Sequence, residues 1–509
     1  LEKLLKSYQD LAQELGIDYQ TLANLTKGSI RYFEELTRRI YDALEDRQQP
    51  VLLILDNVRD TTIIGTCLLH RPSLIEVIIT TRDKKSFKDY SQVELSSFTR
   101  EEGITYIQQR LDALKPSEQD IEALIKEVGL IPQKLALATG YITEISFMNI
   151  DIYINKLRGL KKQGKRRQGK FMLPEVNLGL EILDGPSQLM MRYGAYLDAD
   201  FIPLSLITSL LGIGEEEKLA TILSPLEKLS LITVINGPNK QGIRIHREIQ
   251  IACREYQDWV ERAAKVTKQD LVKALIQVLV QYMPEVTRGR DSTWDQARLY
   301  ASNVSCVLAT ATKEEIIQPL LAVLLSHMGS YSDKVTCNYE KALIYHGQAL
   351  KMRRDLYKGN HSDIAGSLYN LGDVYRILGQ YQEALKYYQQ AFEMSQALYI
   401  GNHPCISNIL NNIGVIYRIL GKYEEALKYY QQTLEMRKAL YKGNHLEIAG
   451  SLNNIGIIYK EIGKYEEALK YYQQTLEISQ GLSIGSHPYV GNILSNLGVI
   501  YEELGKYEE

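Results

Sequence analysis

Of 509 residues only two are Trp, seven Phe, thirteen Pro and five Cys. The thiols (Cys67, Cys253, Cys306, Cys337, Cys405) form no CxxC pair and no metal-ligand spacing. Neither a disulfide framework nor a zinc site is therefore expected, and they read as reduced core thiols of a cytoplasmic protein. An excess of charge is missing as well. Fifty-nine Lys and Arg stand against 62 Asp and Glu, a net charge of -3, which carries no footprint of a nucleic acid or an anionic membrane surface. No apolar run nears the roughly 18 residues of a membrane span, and no signal-peptide pattern opens the chain. No protease, kinase or nuclease constellation is present. What the chain does have is length beyond one core, so several domains are expected, and 35 Tyr, most of the excess in the C-terminal third.

Pro50 to Asp60, PVLLILDNVRD, runs through five apolar residues, Val51 to Leu55, and then meets Asp56 and Asn57. A short unbroken apolar run reads as a strand buried on both faces of a parallel sheet. An acid at the carboxyl end of such a strand sits where open α/β sheets bind ligands. Asp56 is then either a loop cap or the acid that holds a nucleotide Mg²⁺ through water. Ile75 to Ile79 is a second such run and ends in Thr80-Thr81-Arg82. Helical patterns over Leu1 to Leu15 and Ile30 to Leu44 alternate with these strands, which predicts a doubly wound sheet. Adjacent strands would bring Asp56 and Arg82 to one sheet edge, where a cation reaches a terminal phosphate.

Thr99 with Glu102 forms a capping box, and Asp120 to Val128 reads as a helix closed by Gly129. Gly129-Leu130-Ile131-Pro132 is a helix stop and a restart, with Pro suited to the first turn. Leu160 to Lys170 (LKKQGKRRQGK) carries six cations and two Gly without aromatics, and reads as a solvated loop. Helices within Leu178 to Leu231 precede a hairpin from Leu231 to Ile245, the order of a winged helix. Glu215, Glu216 and Glu217 argue against a phosphate-facing surface there. His246, at the start of the next helix in IHREIQ, has a structural reading as a helix-end residue. Residues 263–335 are helical in pattern with no chemical motif.

From about Asn338 the chain repeats. Tyr381, Tyr423, Tyr465 and Tyr507 are each 42 apart, as are Gly372, Gly414, Gly456 and Gly498, and His361, His403, His445 and His487. A fixed period near this length means a solenoid. The His residues read as loop and capping groups rather than metal ligands, since stacking spaces them one per repeat. Asn370, Asn412, Asn454 and Asn496 recur on the first helix of each pair, as a ladder of amides for a peptide backbone or as polar filler.

These segments carry two resemblances. DNxx followed about 25 residues later by an apolar run and TTR resembles the NB-ARC switch of STAND-type signalling ATPases. The resemblance implies ADP or ATP with Mg²⁺ as cofactors. It makes Asp56 the metal ligand, Arg82 with Thr81 the γ-phosphate sensor, Pro132 of a GxxP motif the adenine contact, and His246 the contact to the β-phosphate of ADP. Asn57 stands where a second acid is often found, and an amide cannot act as a general base; at most a slow ATPase is implied. Arg247 departs from the family's Asp. No GxxxxGK[ST] occurs, and the family order places the P-loop before Leu1, so the chain reads as a truncated fragment that binds ATP weakly or not at all. Ala-Leu after Tyr, with Gly on the partner helix, resembles tetratricopeptide repeats of the kinesin-light-chain type.

The resulting expectation is a multidomain α/β plus α chain. It has an incomplete nucleotide-binding α/β domain (1–115), a helical subdomain (116–175), a winged helix (176–262), a helical linker (263–335) and an α-solenoid of repeats (336–509). Its function would be a nucleotide-dependent switch whose repeats hold a protein or peptide, with homo-oligomers in the ATP state and no membrane or nucleic-acid partner. A nucleotide-free repeat scaffold and a winged-helix DNA-binding regulator are the alternatives.

Overall fold

The computed structural model describes residues 30–45, 51–58, 75–81, 97–166, 173–214, 216–237, 240–260, 267–287, 291–482 and 488–504. The chain divides into two compact units, Leu1–Ile316 with Lys334–Asn338, and Ile317–Asp333 with Tyr339–Glu509. The described residues are mostly helical, with two small sheets.

In the first unit, α1 (Ile30–Glu45) buries Leu36, Ile40, Tyr41 and Leu44, one stripe at helical spacing. Strands β1 (Val51–Val58) and β2 (Ile75–Thr81) pair in parallel, Val51 opposite Ile75 and Leu55 opposite Ile79. The first helical segment of the sequence reading, Leu1 to Leu15, lies outside the described residues.

Four helices follow: α2 (Arg100–Arg110), α3 (Glu118–Val128), α4 (Pro132–Glu144) and α5 (Ile150–Arg166). The Thr99 hydroxyl accepts from the Glu102 N–H at 3.2 Å while the Glu102 carboxylate accepts from the Thr99 N–H at 2.8 Å, the expected capping box. Ser117 and Asp120 form a second one that the sequence reading did not note. Helix α5 runs on to Arg166, through residues read from the sequence as a solvated loop. The reason is tertiary: Glu127, at the end of α3, accepts from Arg158 at 2.8 Å and from Lys161 at 2.7 Å. Burial acts to raise the Glu127 carboxyl, but these two cations outweigh it and hold it below its ordinary range.

Next come α6 (Pro174–Glu181), α7 (Gly185–Gly194), β3 (Ile202–Pro203), α8 (Leu204–Leu211), α9 (Glu216–Lys228), β4 (Thr233–Asn236) and β5 (Gln241–Arg244). The strands form an antiparallel sheet in the order β3-β5-β4. A Cβ on Gly242 would meet the Ile202 carbonyl oxygen at 2.6 Å, so only Gly lets β3 and β5 approach there. Helices α10 (Arg247–Val260), α11 (Lys268–Tyr282) and α12 (Ser292–Lys313) complete the unit. Helix α12, from the stretch read as a spacer, is tied in by Asn303. Its side chain accepts from the Asp198 N–H and donates to the Phe201 carbonyl, both at 3.0 Å.

The second unit is a run of helices: α13 (Pro319–Lys334), α14 (Tyr339–Leu356), α15 (Ser362–Ile377), α16 (Tyr381–Leu398), α17 (Pro404–Ile419), α18 (Tyr423–Leu440), α19 (Leu446–Glu461), α20 (Tyr465–Gly481) and α21 (Pro488–Glu503). From α14 onward each packs on its sequence neighbours. The core of one repeat is typical: Leu368, Leu371, Ala384, Tyr388 and Ala391 bury against Ile409 and Ile413 of the next. Each repeat thus completes its core only through its neighbour.

Candidate functional site

The parallel pairing of β1 and β2 places their carboxyl ends at one sheet edge. Asp56 and Asn57 lie at the carboxyl end of β1, where the register shifts between Leu55 and Val58, and Val58 pairs with Thr81, the last residue of β2. Only the backbone is described at Asp56, Asn57 and Thr81, and Arg82 lies outside the described residues. Pro132 occupies the first turn of α4 and is exposed, beside Ile131 at 47% exposure. His246 is exposed immediately before α10, and its Nδ1 accepts from the Glu248 N–H at 3.3 Å. The rest of that motif is anchored. Gln250 donates to the carbonyls of Gly194 at 2.8 Å and Leu197 at 3.0 Å, and Arg247 pairs with Asp200 at 3.4 Å. No contact among the described residues joins Pro132 to His246. No three His, Cys, Asp or Glu among the described residues gather as metal ligands, and no helix among them is long and apolar enough to cross a membrane.

In the repeats the structure shows what the recurring residues do. His361, His403 and His445 cap α15, α17 and α19. Each Nδ1 accepts from the backbone N–H two residues on, at 3.1, 3.2 and 3.2 Å. Each ring stacks on the Tyr four residues before it, at 3.6, 3.6 and 3.9 Å. Gly372, Gly414 and Gly456 give way to the rings of Tyr388, Tyr430 and Tyr472, which are fully buried. Burial pushes the Tyr430 phenol up to about 12 against the pull of the Arg418 guanidinium, and raises Tyr388 with the help of Asp373.

The four Asn residues sit half-buried on the first helices of their pairs. Asn412 donates to the Tyr369 hydroxyl at 3.0 Å and to the Tyr388 hydroxyl at 3.2 Å, so both of its amide hydrogens serve the preceding repeat. Asn454 donates to Asn411 at 2.9 Å, and Asn496 accepts from Lys460 at 2.8 Å. Beside this row runs a second one that sequence reasoning passed over, Arg376, Arg418 and Lys460, also 42 apart. Arg376 pairs with Asp373 at 2.7 Å and Arg418 with Glu461 at 3.0 Å, the latter pair about a third exposed. Burial alone would lower the Arg376 guanidinium, but Asp373 raises it.

A longer period overlies the 42-residue one. Arg353 donates to the Ser367 hydroxyl at 2.5 Å and Arg437 to the Ser451 hydroxyl at 3.0 Å. The repeats between and after carry Ser395 with Ile409 and Ser479 with Ile493 at the same places. Seams with a buried Arg–Ser contact therefore alternate with apolar ones.

Residues 320–397, 363–439, 405–481 and 447–509 match the tetratricopeptide repeat family. The match reaches back into α13 and α14. The repeat signature is obscured there because His346 replaces the buried Tyr, packed against Gly329. No curated protein matches the chain. Among solved structures, BtubC (BKLC) from P. vanneervenii is 23% identical over 43% of this chain and 87% of that one, with a TM-score of 0.38. A putative kinesin light chain from Podosopora anserina with nearly identical TPR-like repeats is 15% identical, covering 45% and 95%, TM-score 0.32. A signal transduction ATPase with numerous domains (STAND) carrying a tetratricopeptide repeat sensor, from Pyrococcus horikoshii, is 15% identical, covering 92% and 75%, TM-score 0.33. The C-terminal part of the chain, residues 320–509, is an array of tetratricopeptide repeats.

Proposed function

We propose that this chain is a signalling switch: its repeats dock a protein or peptide, and an NB-ARC-like amino-terminal module reads ADP or ATP and controls assembly with further copies. The observation that carries the docking half is the repeat array itself. It presents a row of half-buried amides (Asn370, Asn412, Asn454, Asn496) beside a row of cations (Arg376, Arg418, Lys460). Amides match a peptide backbone, and cations match acidic side chains. Asn412 reaches a partner only through its carbonyl oxygen unless the tyrosine contacts open.

The nucleotide half is supported by the parallel β1–β2 pair, whose carboxyl ends bring Asp56, Asn57 and Thr81 to one edge. Asp56 would hold Mg²⁺, Thr81 and Arg82 the terminal phosphate, and Pro132 the base. His246 fits a phosphate contact through Nε2, because Nδ1 is taken by the Glu248 N–H. The bound nucleotide would supply the charge difference that favours one packing of the module over another. With Asn57 beside Asp56, hydrolysis is slow and the chain acts by state rather than turnover.

The test is the nucleotide content of the natural protein after purification and denaturation. Co-purified ADP, lowered in His246→Ala, supports the switch. A protein that carries no nucleotide and shows no thermal shift with ADP or ATP leaves a repeat scaffold.

A further inference from the structure

At three places along one face, α14 departs from the second helices of the repeats that follow it. Gly347 stands where the others have Gln389, Gln431 and Gln473. Lys351 stands where they have Glu393, Glu435 and Glu477, and Asp355 where they have Ala397, Ala439 and Gly481. These positions are four residues apart, so they lie one above the other on the helix. They face a single cavity of about 350 Å³ between α14, α15 and α16.

Gly347 accounts for the space. A Cβ built on it would meet no heavy atom within 4 Å, so no close helix approach demands Gly there. Gly weakens a helix interior, and here the missing side chain yields only an opening. Leu343, Leu350 and Leu371 supply the apolar part of its wall. Tyr375 and Tyr387 add two rings stacked at 5.3 Å and 9°. At the mouth stand Lys351 and Arg354, both exposed, against Asp355 alone. Arg354 donates to the Gln390 side chain at 3.2 Å, which holds the guanidinium beside the cavity. Among the described residues Lys351 has no acidic partner.

A volume near the lower end of ligand pockets, leucine and tyrosine side chains along part of the lining and charged groups along the rest suit a small organic ligand that has both an apolar body and a charged head. We propose that this cavity binds a small organic anion with a flat apolar body, of the aromatic carboxylate class. The ring would lie among the leucines and the Tyr375–Tyr387 pair. The carboxylate would sit at Lys351 and Arg354, where charge-assisted hydrogen bonds are strongest. Such a ligand would brace α14 against α15 and α16, at the first repeat junction and nowhere else in the array. The site is independent of the nucleotide and docking readings.

Two probes with the same ring and opposite heads test it, indole-3-propionate and tryptamine, titrated into the full chain by calorimetry. Two variants each restore the residue of the other repeats, Gly347→Gln and Lys351→Glu, with thermal melting recorded alongside. Gly347→Gln puts a better helix former into open space, so its melting temperature should not fall. The expected result is saturable binding of indole-3-propionate, weakened about tenfold or more in each variant, with tryptamine at least about tenfold weaker in the natural chain. Absence of saturable indole-3-propionate binding overturns the proposal. So does equal affinity in natural and variant chains, or tryptamine binding as tightly as the anion.

Discussion

Gly372 and Gly366 lie on the same helix, α15, yet a methyl group added to each should act in opposite directions. A Cβ on Gly372 would stand 2.8 Å from two ring carbons of Tyr388; one on Gly366 would meet nothing within 4 Å. Carbon atoms pack at about 3.5–4.0 Å, so Gly372→Ala forces a movement of roughly 0.7 Å. The Tyr388 ring is fully buried and its hydroxyl donates to Asp373 at 3.1 Å, so it has nowhere to go. Overpacking of this kind costs about 1–3 kcal/mol, while replacing a helical Gly by Ala returns about 1 kcal/mol. The net expectation is a loss of up to about 2 kcal/mol for Gly372→Ala and a gain of about 1 kcal/mol for Gly366→Ala. Gly414→Ala should match Gly372→Ala, with its nearest ring carbon also at 2.8 Å, and Gly456→Ala should be milder, with 3.2 Å to Tyr472. A repeat array does not unfold in one step, so the assay is native-state hydrogen exchange read helix by helix. Exchange in α15 and α16 should quicken by up to about thirtyfold in Gly372→Ala and slow by about fivefold in Gly366→Ala. If Gly372→Ala protects as Gly366→Ala does, the glycines are not there to admit the tyrosines.

Other substitutions follow from the same geometry. His403→Ala removes the acceptor for the Cys405 N–H and the ring stacked on Tyr399; a lost cap costs about 1 kcal/mol, seen as faster exchange in the first turn of α17. Arg437→Ala removes the guanidinium that donates to the Ser451 hydroxyl, the Glu447 carbonyl and Asn408 and that pairs with the Glu447 carboxylate, leaving Ser451 only its own bond to the Glu447 carbonyl, and should destabilise that seam by about 2–3 kcal/mol. The pair Arg437→Ser with Ser451→Ile, which copies Ser395 and Ile409, should recover most of that loss in denaturant melts. Glu175, 2% exposed in α6, has its carboxyl raised by burial. An acid that holds its proton longer when folded makes stability fall as pH climbs through the unfolded and then the folded pKa. Glu175→Gln should therefore raise the melting temperature near neutral pH and leave it unchanged in acid below the unfolded pKa; equal shifts at both would refute the assignment.

Sequence carried those elements whose signal is local. The β1 and β2 strands are unbroken apolar runs, the Thr99–Glu102 box closes within one turn, and the repeat period needs only self-comparison. Elements set by distant partners were not legible. Lys161 looked like part of a solvated loop because its acid, Glu127, lies 34 residues away. The Asn412 amide looked like part of an open ladder because its tyrosine partners belong to another helix pair, 43 and 24 residues away. The Arg376, Arg418 and Lys460 row had a signal in the sequence, the same 42-residue spacing. It went unread because charged residues on a helix surface are ordinarily solvated.

The 84-residue alternation has a physical consequence for the array. Arg353 with Ser367, and Arg437 with Ser451, put a buried guanidinium and its hydrogen bonds into two seams, while Ser395 with Ile409 and Ser479 with Ile493 leave the others mainly apolar. A hydrogen-bonded seam is destabilised when one partner goes, because the remaining polar group stays buried with one bond fewer. An apolar seam responds to lost volume alone. Neighbouring junctions of one solenoid are therefore held by different forces. A single exchange across a seam is costly, whereas exchanging both residues together converts one type into the other, and the two members of each pair are constrained jointly by the contact they share.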